Sequence, residues 1–160
     1  MPTCAARSIL SLSRQEVLLQ WAGERVMNGP GPWFWGHDAR AMGVLEAESG
    51  KIIAVAVFND FHRGACEAHF ASDGRRKWAT YSVLRGLFHY IFLALGVRRV
   101  IASTPETNLT AVNLMKKMGF TIEGTLRTEP DGSKKNVVGQ MFNVECAFIA
   151  DLVRKEDGKA

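Results

Sequence analysis

The sequence predicts an α/β fold, with a mixed, mostly antiparallel sheet of six to seven strands and helices on both faces. Two observations carry this prediction. Residues 52–58 are apolar throughout, which is typical of a central strand covered on both faces. An apolar-faced helix over residues 79–95 passes through a short turn into a β-branched run at residues 97–103, which indicates a crossover to a parallel strand. We therefore expect one parallel pair at the centre of an otherwise antiparallel sheet.

The length and composition of the chain are those of one ordinary globular domain. With 160 residues, of which 47% are hydrophobic and 22% charged, the chain can bury its own core. We expect a single domain over residues 1–150 and a charged, frayed tail over residues 151–160. We expect no signal peptide, because no basic segment precedes an apolar run, and no membrane span, because Arg85 and His89 interrupt the most apolar helix.

The net charge of the chain indicates which binding partners it favours, and its cysteines indicate the redox state of its compartment. The net charge of +4 and the pI near 9.1 favour anionic partners, such as a CoA, a nucleic acid or an acidic surface, without selecting among them. Cys4, Cys66 and Cys146 are odd in number, widely spaced and without a CxxC pattern, which argues against a disulfide framework or a zinc site. A reducing cytoplasm fits this usage best.

Four elements are predicted in the N-terminal part of the chain. A first strand is expected near residues 5–10. Apolar residues then recur at helical spacing, which predicts a helix over residues 14–27. Two strands, at residues 41–47 and 52–58, are separated by a short polar turn and form a hairpin.

Three adjacent aromatic residues, Trp33, Phe34 and Trp35, lie in the Gly- and Pro-rich loop that follows the first helix. One interpretation is a small apolar cluster that pins the loop to the body of the protein. The other is the wall of a binding site, in which Trp33 and Trp35 would pack on an apolar or cationic group.

A third strand, residues 65–71, alternates in character. One face carries Cys66, which we interpret as a core cysteine. The other face carries Glu67 and His69, about 7 Å apart by the rise of a strand. Because the pKa of histidine lies nearest neutrality, this pair suits proton transfer; the alternative is a solvent-facing sheet surface.

The densest basic cluster, Arg75, Arg76 and Lys77, lies between that strand and the helix at residues 79–95. Free backbone N–H groups and the positive dipole end of a helix hold phosphate at such a position. A merely solvated turn is the alternative, but the place of the cluster at a helix entrance favours anion binding.

The last third of the chain is predicted to form a helix followed by two strands. Asn108 suits the N-cap of a helix that ends at Gly119, and capping alone would account for this residue. Strands at residues 120–127 and 137–147, joined by a polar connection, complete the sheet.

Taken as a block, residues 64–145 resemble the GNAT N-acetyltransferases. Those enzymes carry a basic turn before the central helix, then an Asn, a small residue three positions on, and a Gly-Phe that begins the next strand. The Glu-Gly-x-x-Arg sequence after it is most similar to the branch that acetylates protein N-termini and small amines. In this chain the downstream motifs are Asn108, Ala111, Gly119-Phe120, Glu123-Gly124 and Arg127.

The chain departs from the family pattern at two places. Its turn keeps only the small Ala79 where the family has glycines, and Met115 stands where many members carry a Tyr thought to protonate the leaving thiolate. A catalytically inactive CoA-binding module therefore remains an alternative. A nucleic-acid-associated protein that uses the basic patches at residues 75–77 and 98–99 is another.

The resemblance implies acetyl-CoA as cosubstrate and an amine acceptor, either a small molecule or a protein N-terminus. It also implies that the parallel strands splay to admit the pantetheine arm, and that the amine attacks the thioester directly, without a metal. His69 is the first choice as general base and Glu67 the second. The implied cofactor-binding residues are Phe70, Ala71, Arg75, Arg76, Lys77, Trp78, Ala79, Thr80, Asn108 and Ala111.

Overall fold

The computed structural model describes residues 7–26, 35–75 and 78–157, with side chains described as far as Val153. The strands are β1 (Ser8–Ser11), β2 (Arg40–Glu46), β3 (Ile52–His62), β4 (Ala65–Ser72), β5 (Arg99–Pro105), β6 (Thr121–Arg127) and β7 (Lys135–Phe142). The α-helices are α1 (Gln15–Val26), α2 (Tyr81–Phe88), α3 (Leu109–Met118) and α4 (Ala150–Asp157).

Within the described residues, the seven strands form a single sheet in the order β1-β2-β3-β4-β5-β7-β6. The pairs β1–β2, β2–β3, β5–β7 and β6–β7 are antiparallel, whereas β4 and β5 are parallel. This confirms the predicted fold class and its parallel central pair. The parallel ladder consists of three pairs and ends at Glu67↔Ile101, before β4 itself ends at Ser72.

The chain divides into two compact units. The first comprises Met1–Asp60 and His69–Leu87, and the second Phe61–Ala68 and Phe88–Ala160. The core of the first unit is an apolar cluster in which α1 packs with β2 and β3. Its buried members are Leu18, Leu19, Ala22, Trp35, Ala39, Ala41, Val55, Val57 and Ala71.

The second unit is organised around a buried aromatic side chain, Phe88. Its ring lies parallel to Phe92 and Phe148, with centroid distances of 5.9 and 5.6 Å. A third ring, Phe120, meets Phe88 at a tilt, 6.4 Å away. Such stacked and tilted arrangements match the preferred geometry of aromatic pairs, and they pack the end of α2 against the connection between α3 and β6.

The central helix differs from its prediction at both ends. It begins at Tyr81 because the Thr80 hydroxyl caps it, accepting the Val83 N–H at 3.4 Å. After Phe88 the backbone changes to a π-helical segment, His89–Ala94, in which the Leu95 N–H donates to the Tyr90 carbonyl. The predicted single helix over residues 79–95 is thus two helical segments that follow one another.

The expectation of a frayed C-terminal tail is wrong for most of its length, because Ala150–Asp157 forms α4. Ile149 is fully buried, and its carbonyl accepts the N–H groups of both Leu152 and Val153. These three apolar residues recur at helical spacing and outweigh the charges around them. The last predicted strand also stops earlier than expected, at Phe142, and a 3₁₀ turn follows it.

None of the helices in the described part of the chain has the length and apolar character needed to cross a membrane.

Candidate active site

His69 lies on β4 and contacts two neighbours from the same unit. Its imidazole packs on the indole of Trp35 with a centroid distance of 5.0 Å and an interplanar angle of 57°. Its Nε2 lies 3.1 Å from Oδ1 of Asn59, near the end of β3. The side chain is mostly buried, and this burial lowers the pKa of His69 from its ordinary value. A neutral imidazole at physiological pH is the protonation state that a general base requires.

The lowered pKa of His69 predicts a pH dependence of stability. Because the folded-state pKa lies below the unfolded value of about 6.5, the unfolded chain binds more protons than the folded one between these two values. The stability associated with neutral His69 is therefore present above about pH 6.5 and is lost as the pH falls. Chemical denaturation across this range is expected to show a steeper loss on acidification for the native protein than for His69→Gln. Equal slopes would contradict the prediction.

Trp35 belongs to the core, which decides between the two interpretations of this residue. Only 2% of it is exposed, and its indole Nε1 donates to the Leu19 carbonyl of α1 at 3.0 Å. The apolar-cluster interpretation is therefore right for Trp35, and the binding-wall interpretation is wrong for it, because a buried indole cannot present its face to a ligand. Trp33 and Phe34 lie outside the described residues.

The turn after β4 is tied to the β2–β3 hairpin through Arg75. The guanidinium of Arg75 contacts Asp73 Oδ2 at 2.6 Å and Glu46 Oε1 at 3.3 Å. Hydrogen bonds from Arg75 hold the pKa of Asp73 below its usual range, and the Ser49 hydroxyl, followed by Arg75, does the same for Glu46. A phosphate at this guanidinium would have to share it with two carboxylates. Arg76 and Lys77, the other two predicted phosphate ligands, lie outside the described residues.

The remaining predicted cofactor residues of this unit differ in exposure. Ala71 and Trp78 are buried, and Trp78 stacks on Phe70 with a centroid distance of 6.3 Å. Their side chains therefore belong to the core, and only their backbone groups are suited to a ligand. Ala79 is half-buried, and Thr80 is exposed beside the first turn of α2.

In the second unit, Asn108 and Ala111 are bonded to each other. Asn108 is the N-cap of α3, and its Oδ1 accepts the Ala111 N–H at 3.2 Å. Capping thus uses the oxygen of the side-chain amide, while the Nδ2 group has the donor chemistry that a ligand carbonyl needs.

Glu67 and Cys66 lie side by side on β4, also in the second unit. Glu67 is half-buried and pairs with Ile101 in the parallel ladder. Cys66 is fully buried, and burial raises the pKa of its thiol to about 12. The thiolate needed for nucleophilic attack is therefore disfavoured, which supports the core interpretation of this cysteine.

Comparisons with solved structures identify the fold of the chain. No protein-family model matches the chain, and no curated protein matches its sequence. Among solved structures, mutant forms of the spermidine/spermine N-acetyltransferase SpeG from Vibrio cholerae match with a TM-score of 0.70 and 13% identity, over 91% of this chain and 99% of that one. The ribosomal-protein-S5-alanine acetyltransferase from Vibrio fischeri matches with a TM-score of 0.64 and 14% identity, over 85% and 93%. A GNAT-family acetyltransferase from Bacillus anthracis matches with a TM-score of 0.56 and 17% identity, over 66% and 67%.

The chain has the GNAT fold. The parallel β4–β5 pair, with α2 between its strands in sequence, is the part of that fold which the sequence predicted most directly. The departure at Met115 also has a structural account. Met115 is buried, and its Cε would come within 2.8 Å of a Cβ placed on Gly139 of β7. The side chain fills the core of the second unit and supplies no acid.

Two polar residues near the predicted GNAT site were missed by sequence reasoning. Asn59, the hydrogen-bonding partner of His69, lies just beyond the predicted strand at residues 52–58, but in the structure β3 continues through it to His62. Glu46, a partner of Arg75, lies within the predicted strand at residues 41–47, where nothing in the sequence distinguishes it. Neither residue carries a signal of its own in the sequence, because each acquires its partner only when the sheet and the turn after β4 are formed.

Proposed function

We propose that this protein is an N-acetyltransferase that transfers the acetyl group of acetyl-CoA to a primary amine by direct attack. The observation that carries the proposal is His69 on β4 of a GNAT fold, held neutral by burial and fixed against Trp35 and Asn59. In the enzymes that this chain resembles, this strand runs beside the thioester. A base on it is therefore suited to the amine that attacks there.

The proposed cofactor site uses the backbone that follows His69. The pantetheine arm would run along β4 past the end of its ladder with β5, and Phe70 and Ala71 would contribute main-chain groups. The diphosphate would bind at the entrance of α2, where Trp78, Ala79 and Thr80 precede the first helical N–H groups. Arg75, Arg76 and Lys77 would supply positive charge at the same turn.

Asn108 has a separate proposed role. Its Oδ1 is engaged by the Ala111 N–H, so we assign the contact with the pantetheine arm to Nδ2 of the same side chain. One amide can serve both purposes, because its oxygen accepts and its nitrogen donates.

The proposed reaction is a single acyl transfer. The lone pair of the neutral amine attacks the thioester carbonyl carbon, a C–N bond forms, and the proton of the amine passes to His69 directly or through water. Collapse of the tetrahedral intermediate breaks the C–S bond, and CoA leaves as the thiolate. Backbone N–H groups of β4 would stabilise the oxyanion. Glu67 is the second candidate for the base.

The acceptor is proposed only as a class. The structural neighbours named above include an enzyme named for ribosomal-protein alanine and one named for spermidine and spermine. Both names denote acceptors with amines, which supports a protein N-terminus or a small polyamine as the group acetylated by this protein.

The proposal is tested in two steps. Titration calorimetry is expected to show saturable binding of acetyl-CoA, with weaker binding of acetyl-pantetheine because that analogue lacks the diphosphate. A thiol-release assay with peptide N-termini and polyamines is expected to show release of CoA that depends on the amine. Binding without turnover against the whole panel would indicate a CoA-binding module. Failure to bind, together with strongly salt-dependent binding of DNA or RNA, would support the nucleic-acid alternative instead.

A further inference from the structure

We propose that Asn59 is a positioning residue that holds His69 as the Nε2–H tautomer, so that the neutral ring carries its lone pair on Nδ1. The orientation of the Asn59 amide and the tautomer of the His69 imidazole are linked by one hydrogen bond. This proposal rests on the proposed function only for its catalytic consequence, since the tautomer itself follows from hydrogen bonds within the first unit.

The amide of Asn59 is oriented by the backbone of Trp35. Its Nδ2 group donates to the Trp35 carbonyl at 3.3 Å. That carbonyl cannot donate, so the group facing it has to be the NH₂ end of the amide. Trp35 is itself held by the hydrogen bond from its indole to Leu19 and by its almost complete burial. The reference point for the amide is thus part of the core.

The orientation of the amide determines which proton His69 carries. With Nδ2 on the Trp35 carbonyl, Oδ1 faces His69 Nε2 at 3.1 Å. An amide oxygen accepts and never donates, so Nε2 has to supply the hydrogen. A neutral imidazole has one N–H, and its other nitrogen, Nδ1, therefore carries the lone pair. Contact of the imidazole with the Trp35 indole keeps the ring in this position.

In this arrangement His69 is the base, and Asn59 is the third group that orients it. As Nδ1 takes a proton from the attacking amine, the N–H bond of the amine breaks and the imidazole becomes an imidazolium. The Nε2–H of that cation remains on Asn59 Oδ1, so the hydrogen bond strengthens while positive charge develops. Asn59 would not contact the substrate and would act through His69 alone.

The test reads the tautomer directly. Imidazole ¹⁵N chemical shifts and long-range ¹H–¹⁵N correlations distinguish a protonated from an unprotonated ring nitrogen, and His69→Gln identifies the His69 signals. At a pH above the pKa of His69, the native protein is expected to show a protonated Nε2 and an unprotonated Nδ1. A protonated Nδ1 in the native protein would overturn the proposal.

Three variants separate positioning from general stability. Asn59→Leu removes both hydrogen bonds and is expected to produce a mixture of tautomers. Asn59→Asp loses the donor to the Trp35 carbonyl but keeps an acceptor for Nε2–H, and at a pH where its His69 is neutral it is expected to retain the native tautomer. Asn113→Leu, at an exposed site on α3, is the matched control and is expected to leave the spectrum unchanged. An unchanged native tautomer in Asn59→Leu would count against the proposal, and if that variant does not fold, the native spectrum and Asn59→Asp still decide it.

The kinetic consequence is measured separately from the spectrum. If His69 is the base, Asn59→Leu is expected to lower kcat for amine acetylation by roughly 10-fold, a part of the 10²- to 10⁴-fold that a general base contributes, with KM for acetyl-CoA little changed. The native tautomer without any acetyl transfer would reject the proposed function and leave the tautomer assignment standing. Acetyl transfer by a protein with the Nδ1–H tautomer would support the proposed function and reject the tautomer assignment.

Discussion

Replacing His69 by glutamine is expected to lower kcat for amine acetylation by about 10²- to 10⁴-fold, the usual contribution of a general base. Glutamine retains a polar side chain that can bond to Asn59, but it cannot accept a proton at neutral pH. Because the loss falls on the chemical step, the affinity for acetyl-CoA is expected to stay near that of the native protein. Steady-state kinetics by thiol release, combined with calorimetry, measure both quantities.

Glu67→Gln is the matched control for this prediction. Both side chains are partly buried on β4, two residues apart, and both substitutions yield a glutamine. If His69 is the base, Glu67→Gln is expected to change kcat much less than His69→Gln. The opposite order would assign the base to Glu67. Full activity in both variants would exclude each of them.

Replacing Trp35 by alanine is expected to lower the free energy of unfolding by about 3–5 kcal/mol, as for other buried aromatic residues. The indole fills the core between α1 and the strands of the first unit, and a methyl group would leave a cavity there. Urea denaturation monitored by circular dichroism provides the measurement.

Trp35→Phe separates packing from hydrogen bonding in this effect. Phenylalanine keeps most of the buried ring but loses the indole N–H that donates to the Leu19 carbonyl. We expect the free energy of unfolding to fall by about 1 kcal/mol for the lost hydrogen bond, and by a smaller amount for the reduced packing. A change within about 0.5 kcal/mol for Trp35→Ala would be the behaviour of a surface residue and would restore the binding-wall interpretation.

The order of the elements and the parallel pair were predictable because periodicity and chain connectivity specify both. A uniformly apolar strand, a wide apolar helix face and a short turn into a β-branched run leave few topologies open. The N-cap at Asn108 and the helix end at Gly119, whose φ is +98°, were likewise predictable from the residue type alone. In each case the signal lies within one turn or one element of the chain.

The details of the candidate site were less predictable because they depend on strand register. Asn59 reaches His69 because β3 and β4 are neighbours in the sheet, and no local pattern shows which residues of the two strands meet. Arg75 pairs with Glu46 across a separation of 29 residues, because the turn after β4 lies against the end of β2 in the folded chain. The prediction for the C-terminal tail was wrong for a different reason, because the surrounding charged residues obscure the helical spacing of Ile149, Leu152 and Val153.

A crystal structure of the protein with bound CoA tests the central claim most directly. We expect the diphosphate on main-chain amides of the turn between β4 and α2, the pantetheine along β4 past Glu67, and the sulfur on the side of the strand that carries His69. A CoA bound elsewhere, or crystals that exclude it at saturating concentration, would contradict the proposed acetyl transfer.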